Sequence, residues 1–230
     1  MVVQTQAVGG RIVLHDVSVR YGRRIALEAV SGEFAPGSLT AVVGANGAGK
    51  STLLGAIVGV VPLAGGSIQC LPRQRLAYLP QITAIDRDYP VTVAELIALG
   101  GWREFGVFRA PGAALWQRVT ETAARVDLSG HLKRRIAELS VGELQRALFA
   151  RLILQDPTLI LLDEPFAAVD AATTALLLGQ VMAWYREGRT IIAVLHDLEL
   201  VRASFPSALV LARRCLAWGA TAAALPAMAA

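Results

Sequence analysis

Nine consecutive residues, Gly44-Ala45-Asn46-Gly47-Ala48-Gly49-Lys50-Ser51-Thr52, carry the most specific chemistry in the chain. A glycine, four residues, then Gly-Lys-Ser is the spacing of a backbone wrapped round phosphate groups. The glycines let N–H groups turn inward, Lys50 reaches β- and γ-phosphates, and the Ser51 hydroxyl suits a Mg²⁺ ion. An apolar run, residues 39–43, enters the loop, and residues 53–58 leave it at helical spacing. The new helix adds its unpaired N–H groups and positive dipole end. Only two of the 22 basic residues are lysines, Lys50 and Lys133, so a chance match is on the order of one in a thousand. An incidental glycine turn leaves the flanking strand and helix unexplained. This is a nucleotide-binding loop.

Other chemistry-bearing residues sit at the ends of apolar runs. Residues 158–162 end at Asp163 and Glu164, and residues 190–195 end at His196. Both runs read as buried parallel strands, whose carboxyl ends are where open α/β sheets bind ligands. A lone histidine at a strand end is more often structural than catalytic, but this one ends a strand of the same sheet as the two acids. Gln81 follows the short apolar strand 76–79. Ser140 with Glu143 three residues later is a capping box that starts a helix running to about Leu154; in isolation it is a cap and no more. Tyr21, shortly before the loop, is either a turn aromatic or a surface for a base.

The elements that must position these groups follow from periodicity. Residues 11–43 read as an edge-like β segment, with Ile12, Leu14, Val17 and Val19 in imperfect alternation and a turn at residues 21–24. Residues 62–68 turn into another strand. From Ile82 to about Glu138 the character changes to helical patterns, such as 93–99 and 115–126, alternating with Gly- and Arg-bearing loops. Trp102, Phe105 and Phe108 cluster there, for a core or for a docking partner. A helix over 171–187, closed by Gly188, separates the two acid- and histidine-ended strands.

Composition narrows the class. At 230 residues, one large α/β domain or two small ones fit. The hydrophobic share is 54% and the mean hydropathy +0.50. Yet the apolar stretches are Ala- and Gly-rich and broken by Pro226, short of the ~20 strongly apolar residues a spanning helix needs. The start lacks a charged-then-apolar leader. A soluble cytoplasmic chain with apolar surface reserved for partners is expected. The net charge of +4 is spread out with no basic block, which argues against nucleic acid. Cys70, Cys215 and three dispersed histidines form no metal or disulfide framework. The Ala-rich tail from about Ala220 is too short for a regulatory domain.

Taken together, residues 44–52, Gln81, 139–143, 159–164, 168–170 and His196 resemble, in order and spacing, the nucleotide-binding subunit of ATP-binding cassette (ABC) transporters. The resemblance runs from about residue 11 to 219. It implies a single α/β cassette with a P-loop NTPase (RecA-like) core over about 11–81 and 156–219. An N-terminal antiparallel β subdomain and an α-helical subdomain over about 82–155 complete it. It also implies roles. Tyr21 stacks on adenine; Gly44, Asn46, Gly47, Gly49, Lys50, Ser51 and Thr52 hold the phosphates of ATP. Ser51, Gln81 and Asp163 serve Mg²⁺, Glu164 is the general base, Gln81 approaches the attacking water, and His196 contacts the γ-phosphate. Asp170 lies at a dimer seam, where Ser140 and Gly142 act on ATP held by a second copy.

The signature segment departs from the usual L-S-G-G-Q: Val141 replaces a glycine and Glu143 a glutamine, which adds a negative charge near the triphosphate. The stretches 78–81, 85–93 and 100–103, with 166–170, look like the zinc/manganese importer branch. The implied partners are a second copy of the chain in the ATP-bound state, a polytopic membrane permease, and through it a periplasmic or extracellular substrate-binding protein. The implied location is peripheral, on the cytoplasmic face of the cell membrane. Importers of iron chelates or cobalamin share much of the pattern. A non-transport soluble ABC ATPase is the other alternative.

Overall fold

The computed structural model describes residues 10–71, 76–106 and 110–228. In chain order the elements are β1 (Arg11–Tyr21), β2 (Arg24–Phe34), β3 (Leu39–Val43), α1 (Lys50–Val58), β4 (Gly65–Leu71) and β5 (Leu76–Leu79). Then come α2 (Val93–Ala98), α3 (Trp102–Phe105), α4 (Ala113–Arg125) and α5 (Val141–Gln155). Last are β6 (Leu159–Asp163), α6 (Ala171–Arg186), β7 (Thr190–Val194), α7 (Leu198–Ser204), β8 (Ser207–Ala212), β9 (Arg214–Ala220) and α8 (Thr221–Ala224). The chain divides into two compact units. The first holds residues 1–78, 158–165 and 183–230; the second holds 79–157 and 166–182.

The first unit is built on two sheets. A six-stranded sheet has the order β5-β6-β7-β3-β8-β9, and a three-stranded antiparallel sheet has the order β2-β1-β4. β6, β7, β3 and β8 run parallel, and β9 returns antiparallel to β8. Every residue of β3, β6 and β7 is buried, as their unbroken apolar runs require of strands covered on both faces. One core joins both sheets and α1, with Leu14, Leu27, Leu53, Leu161, Ile192 and Leu209 among its members. The run 11–21 is not an edge: β1 pairs with β2 on one side and β4 on the other. Its alternation looked imperfect because β-bulges interrupt it, at Asp16 and again before Val19. The closing strands β8 and β9 were not anticipated, although residues 208–212 form an apolar run like those of the other central strands.

In the second unit α2, α4 and α5 pack on one another. Leu96 and Ile97 of α2, Leu115 and Val119 of α4, and Leu144 and Leu148 of α5 are buried. α2 begins with a reciprocal capping box. The Glu95 N–H donates to Thr92 Oγ1 at 3.3 Å, and the Thr92 N–H donates to Glu95 Oε2 at 2.7 Å. α5 begins at Val141 with Ser140 as its cap, as its sequence predicts. α6 ends at Arg186, one residue short of the expected end, with Gly188 in the left-handed region beyond it. Phe108 lies outside the described residues.

Candidate nucleotide-binding site

The site of the first unit is assembled by strand order. β6, β7 and β3 are neighbours, and their register puts Asp163 opposite Val194 and Val194 opposite Val42. The three chain segments that leave these strands therefore emerge side by side. They carry Glu164, His196 and the loop from Gly44. His196 follows β7, a strand of the same sheet as β6 and β3.

The loop is shaped by two close approaches. A Cβ on Gly44 would stand 2.1 Å from the Leu211 carbonyl oxygen, and one on Gly49 would stand 2.5 Å from that of Ala26. Both residues have positive φ, 154° and 97°. β8, unforeseen in the sequence, supplies the first of those carbonyls. The Arg213 N–H donates to the Ala48 oxygen at 2.8 Å and ties the β8–β9 turn to the loop. Lys50 Nζ donates to the oxygens of Gly44 and Ala45 at 2.8 and 3.0 Å, bracing the loop from inside. Burial pushes its pKa down, while Glu164 and Asp163 oppose that shift. α1 starts at a glycine with no side-chain cap and no acid in its first turn, so the positive end of the helix stays uncompensated.

The acids stand opposite. Asp163 is only 2% exposed, and its pKa is raised chiefly by burial. Ser51 Oγ donates to Asp163 Oδ1 at 3.1 Å, which favours the charged form. The Tyr78 hydroxyl donates to Oδ2 at 3.5 Å, and burial with the adjacent carboxylate pushes its own pKa up to about 12. Tyr78 was not among the expected site residues, although it opens the 78–81 stretch that ends at Gln81. Glu164 takes a left-handed backbone, φ 53°, and its N–H donates to the Val194 oxygen at 3.2 Å. That turn swings its carboxylate to 2.5 Å from His196 Nε2. Tyr21 lies at the end of β1, 53% exposed, and pairs with Arg24 across the hairpin. The Arg24 guanidinium reaches to within 3.4 Å of where a Cβ on Gly47 would stand.

The second unit brings together four further residues singled out in the sequence, Gly142 with Asp170 and Ser140 with Glu143. A Cβ on Gly142 would lie 3.9 Å from Asp170 Oδ2 and 3.6 Å from Thr173 Oγ1. Asp170 accepts from the Thr173 N–H at 2.7 Å and from its hydroxyl at 3.1 Å, which holds its pKa low. The Glu143 N–H donates to Ser140 Oγ at 3.2 Å, and the Ser140 N–H donates to Glu143 Oε2 at 2.7 Å. Glu143 does not carry a free charge. Its pKa falls to about 2, chiefly through the Ser140 N–H, with Arg134 and His131 adding to the effect. Gln81 precedes a 3₁₀ turn over Ile82–Ala84, and its side chain makes no hydrogen bond among the described residues.

A phosphate loop between a central parallel strand and a helix, with paired acids ending the next strand but one, defines a P-loop nucleoside triphosphatase. Residues 27–167 match the ABC transporter family. The chain belongs to that family and is one of its ATPases. It is 34% identical over 212 residues to the manganese transport system ATP-binding protein MntB of Listeria monocytogenes, covering 90% of this chain and 88% of that protein. It is 36% identical over 219 residues to the zinc transport system ATP-binding protein TroB of Treponema pallidum, covering 93% and 82%. Among solved structures, an ATP-binding subunit of an ABC transporter superposes with a TM-score of 0.78 at 25% identity, covering 91% of this chain and 89% of that one. Among the described residues no helix is long and apolar enough to cross a membrane.

Proposed function

We propose that the chain is the ATP-hydrolysing subunit of a divalent-metal importer, for manganese or zinc. The reading rests on similarity to manganese and zinc transport ATP-binding proteins over about nine-tenths of the chain. It includes a permease that spans the membrane, a substrate-binding protein on the far side, and attachment of this subunit to the cytoplasmic face. Deleting the chain in its host is expected to abolish high-affinity uptake of one of these metals. Unchanged uptake of manganese, zinc and iron would contradict the proposal.

The observation that carries the chemistry is the convergence of Lys50, Ser51, Asp163, Glu164 and His196 around one loop. Tyr21 stacks on adenine. The N–H groups of residues 44–52, with Lys50, hold the phosphates in the charge-assisted hydrogen bonds that anions favour. The hard oxygens of Ser51 and Asp163, 3.1 Å apart, fit Mg²⁺. Held by these oxygens, a Mg²⁺ ion would supply charge neutralisation to the triphosphate.

Phosphoryl transfer to water needs positioning and charge stabilisation more than covalent chemistry. Glu164 orients the attacking water and accepts its proton as the oxygen–phosphorus bond forms and the bond to the β-phosphate oxygen breaks. His196, now on Glu164, is placed to exchange that contact for the γ-phosphate. Ser140 and Gly142 close the site from a second copy, with Asp170 at the seam. Two copies would thus hold two ATP molecules head to tail, and hydrolysis releases them.

A further inference from the structure

The sequence puts an acid, Glu143, in the first turn of α5, the helix whose start faces ATP in the proposed dimer. Like charges at that position repel. The surroundings of Glu143 answer this. Its Oε2 is taken by the Ser140 N–H at 2.7 Å. Its Oε1 lies 3.2 Å from Arg134 Nη1 and 2.9 Å from His131 Nε2. The carboxylate is 19% exposed, so the pair is screened less than a surface ion pair.

Arg134 is itself held in place. Its Nη2 donates to the Glu138 carbonyl, and its Nε lies 3.8 Å from Glu138 Oε2. The backbone around it is pinned to the start of α2. Val93 N–H donates to the Arg134 oxygen at 2.9 Å, Ala94 N–H to the Leu132 oxygen at 3.0 Å, and Ile136 N–H to the Val91 oxygen at 3.0 Å. His131 Nδ1 is buried without a hydrogen-bond partner, so the ring's bond to Glu143 runs through Nε2 alone. None of these anchors uses the phosphate loop.

We infer that Arg134, assisted by His131, is a positioning residue that offsets the charge of the capping carboxylate of Glu143, so that an acid can replace glutamine at the mouth of α5. The inference rests on the reading that Ser140 and Gly142 meet ATP on a second copy. With glutamine at 143 the cap survives without a charge, and Arg134 loses this task. The two residues are therefore coupled through charge, and an additive pair of effects is excluded.

The test is a four-member cycle of wild type, Arg134→Met, Glu143→Gln and the double variant, measured as full-length chains for kcat, KM and melting temperature. Arg134→Met is expected to lower kcat tenfold or more. Its affinity for ATP as a monomer should stay within twofold, because the phosphate loop is untouched. In the Glu143→Gln background the same substitution should cost less than threefold. Arg134→Lys, which keeps the charge, should retain at least a third of wild-type kcat. If Arg134→Met does not fold, Arg134→Gln gives the same comparison, since it can still hydrogen-bond but carries no charge. Equal losses in both backgrounds, or no loss in either, overturn the inference. Ser140→Arg separates the two claims: wild-type turnover in that variant overturns the reading beneath, whereas an inactive Ser140→Arg with an additive cycle overturns this inference alone.

Discussion

Two helices of this molecule begin at residues read as phosphate-facing, and they begin in opposite ways. α1 starts at Gly49, left-handed, with no side-chain cap and no acid in its first turn. α5 starts at Ser140, with hydroxyl and carboxylate closing on each other's N–H groups and Glu143 in its first turn. The first leaves its donors open and braces them from beneath with Lys50. The second spends two donors on itself and takes on a negative charge, which Arg134 and His131 offset. An open helix start can bind a polyanion alone. A self-capped one suits a partner that arrives with its phosphates already held. The asymmetry fits a site divided between two copies, in which one half binds and the other closes.

The largest expected effect breaks the chemistry of the binding half while sparing binding. Glu164→Gln should lower turnover by about 10²–10⁴-fold, the usual contribution of a positioned base, with ATP affinity retained; turnover within tenfold of wild type removes Glu164 as the base. Lys50→Ala should weaken ATP binding by roughly 10- to 100-fold, since it removes a charge-assisted donor and frees the carbonyls of Gly44 and Ala45. Calorimetry measures this directly, and the same substitution should leave the fold of the second unit unaltered by hydrogen exchange.

Ser51→Ala should raise the Mg²⁺ concentration needed for half-maximal hydrolysis by about tenfold, with a smaller change in metal-free ATP binding. The smallest effect concerns the closing half. Glu143 titrates at about 2 in the folded chain against an ordinary 4.5. Its stabilising contribution is full above about pH 4.5 and is lost as the pH falls toward 2. Glu143→Gln should therefore flatten that part of the melting-temperature profile, and an unaltered slope would detach Glu143 from its cap.

In both halves the local motif was legible in the sequence. The phosphate loop was, because its glycines are demanded locally by backbone conformation. So was the α5 cap, because a capping box is a four-residue event. The neighbours that shape both were not. The Leu211 carbonyl over Gly44 comes from β8, and the Tyr78 hydroxyl on Asp163 comes from β5; each is a long-range contact with no periodic signature. Arg134 and His131 belong to no motif in the sequence, and the pinned backbone turns them onto Glu143. β1 looked like an edge because its bulges obscure the alternation of a strand paired on both sides. The capping box of α2, Thr92 to Glu95, was readable from spacing alone and was overlooked.

In the proposed dimer, one chain holds only half of each catalytic site. Sedimentation of the Glu164→Gln chain with saturating ATP and Mg²⁺ tests it most directly. The account predicts a dimer containing two ATP molecules, a monomer with ADP, and a monomer with ATP once Ser140→Arg is added. A chain that stays monomeric at saturating ATP, or dimerises as well with ADP or with Ser140→Arg added, would contradict it.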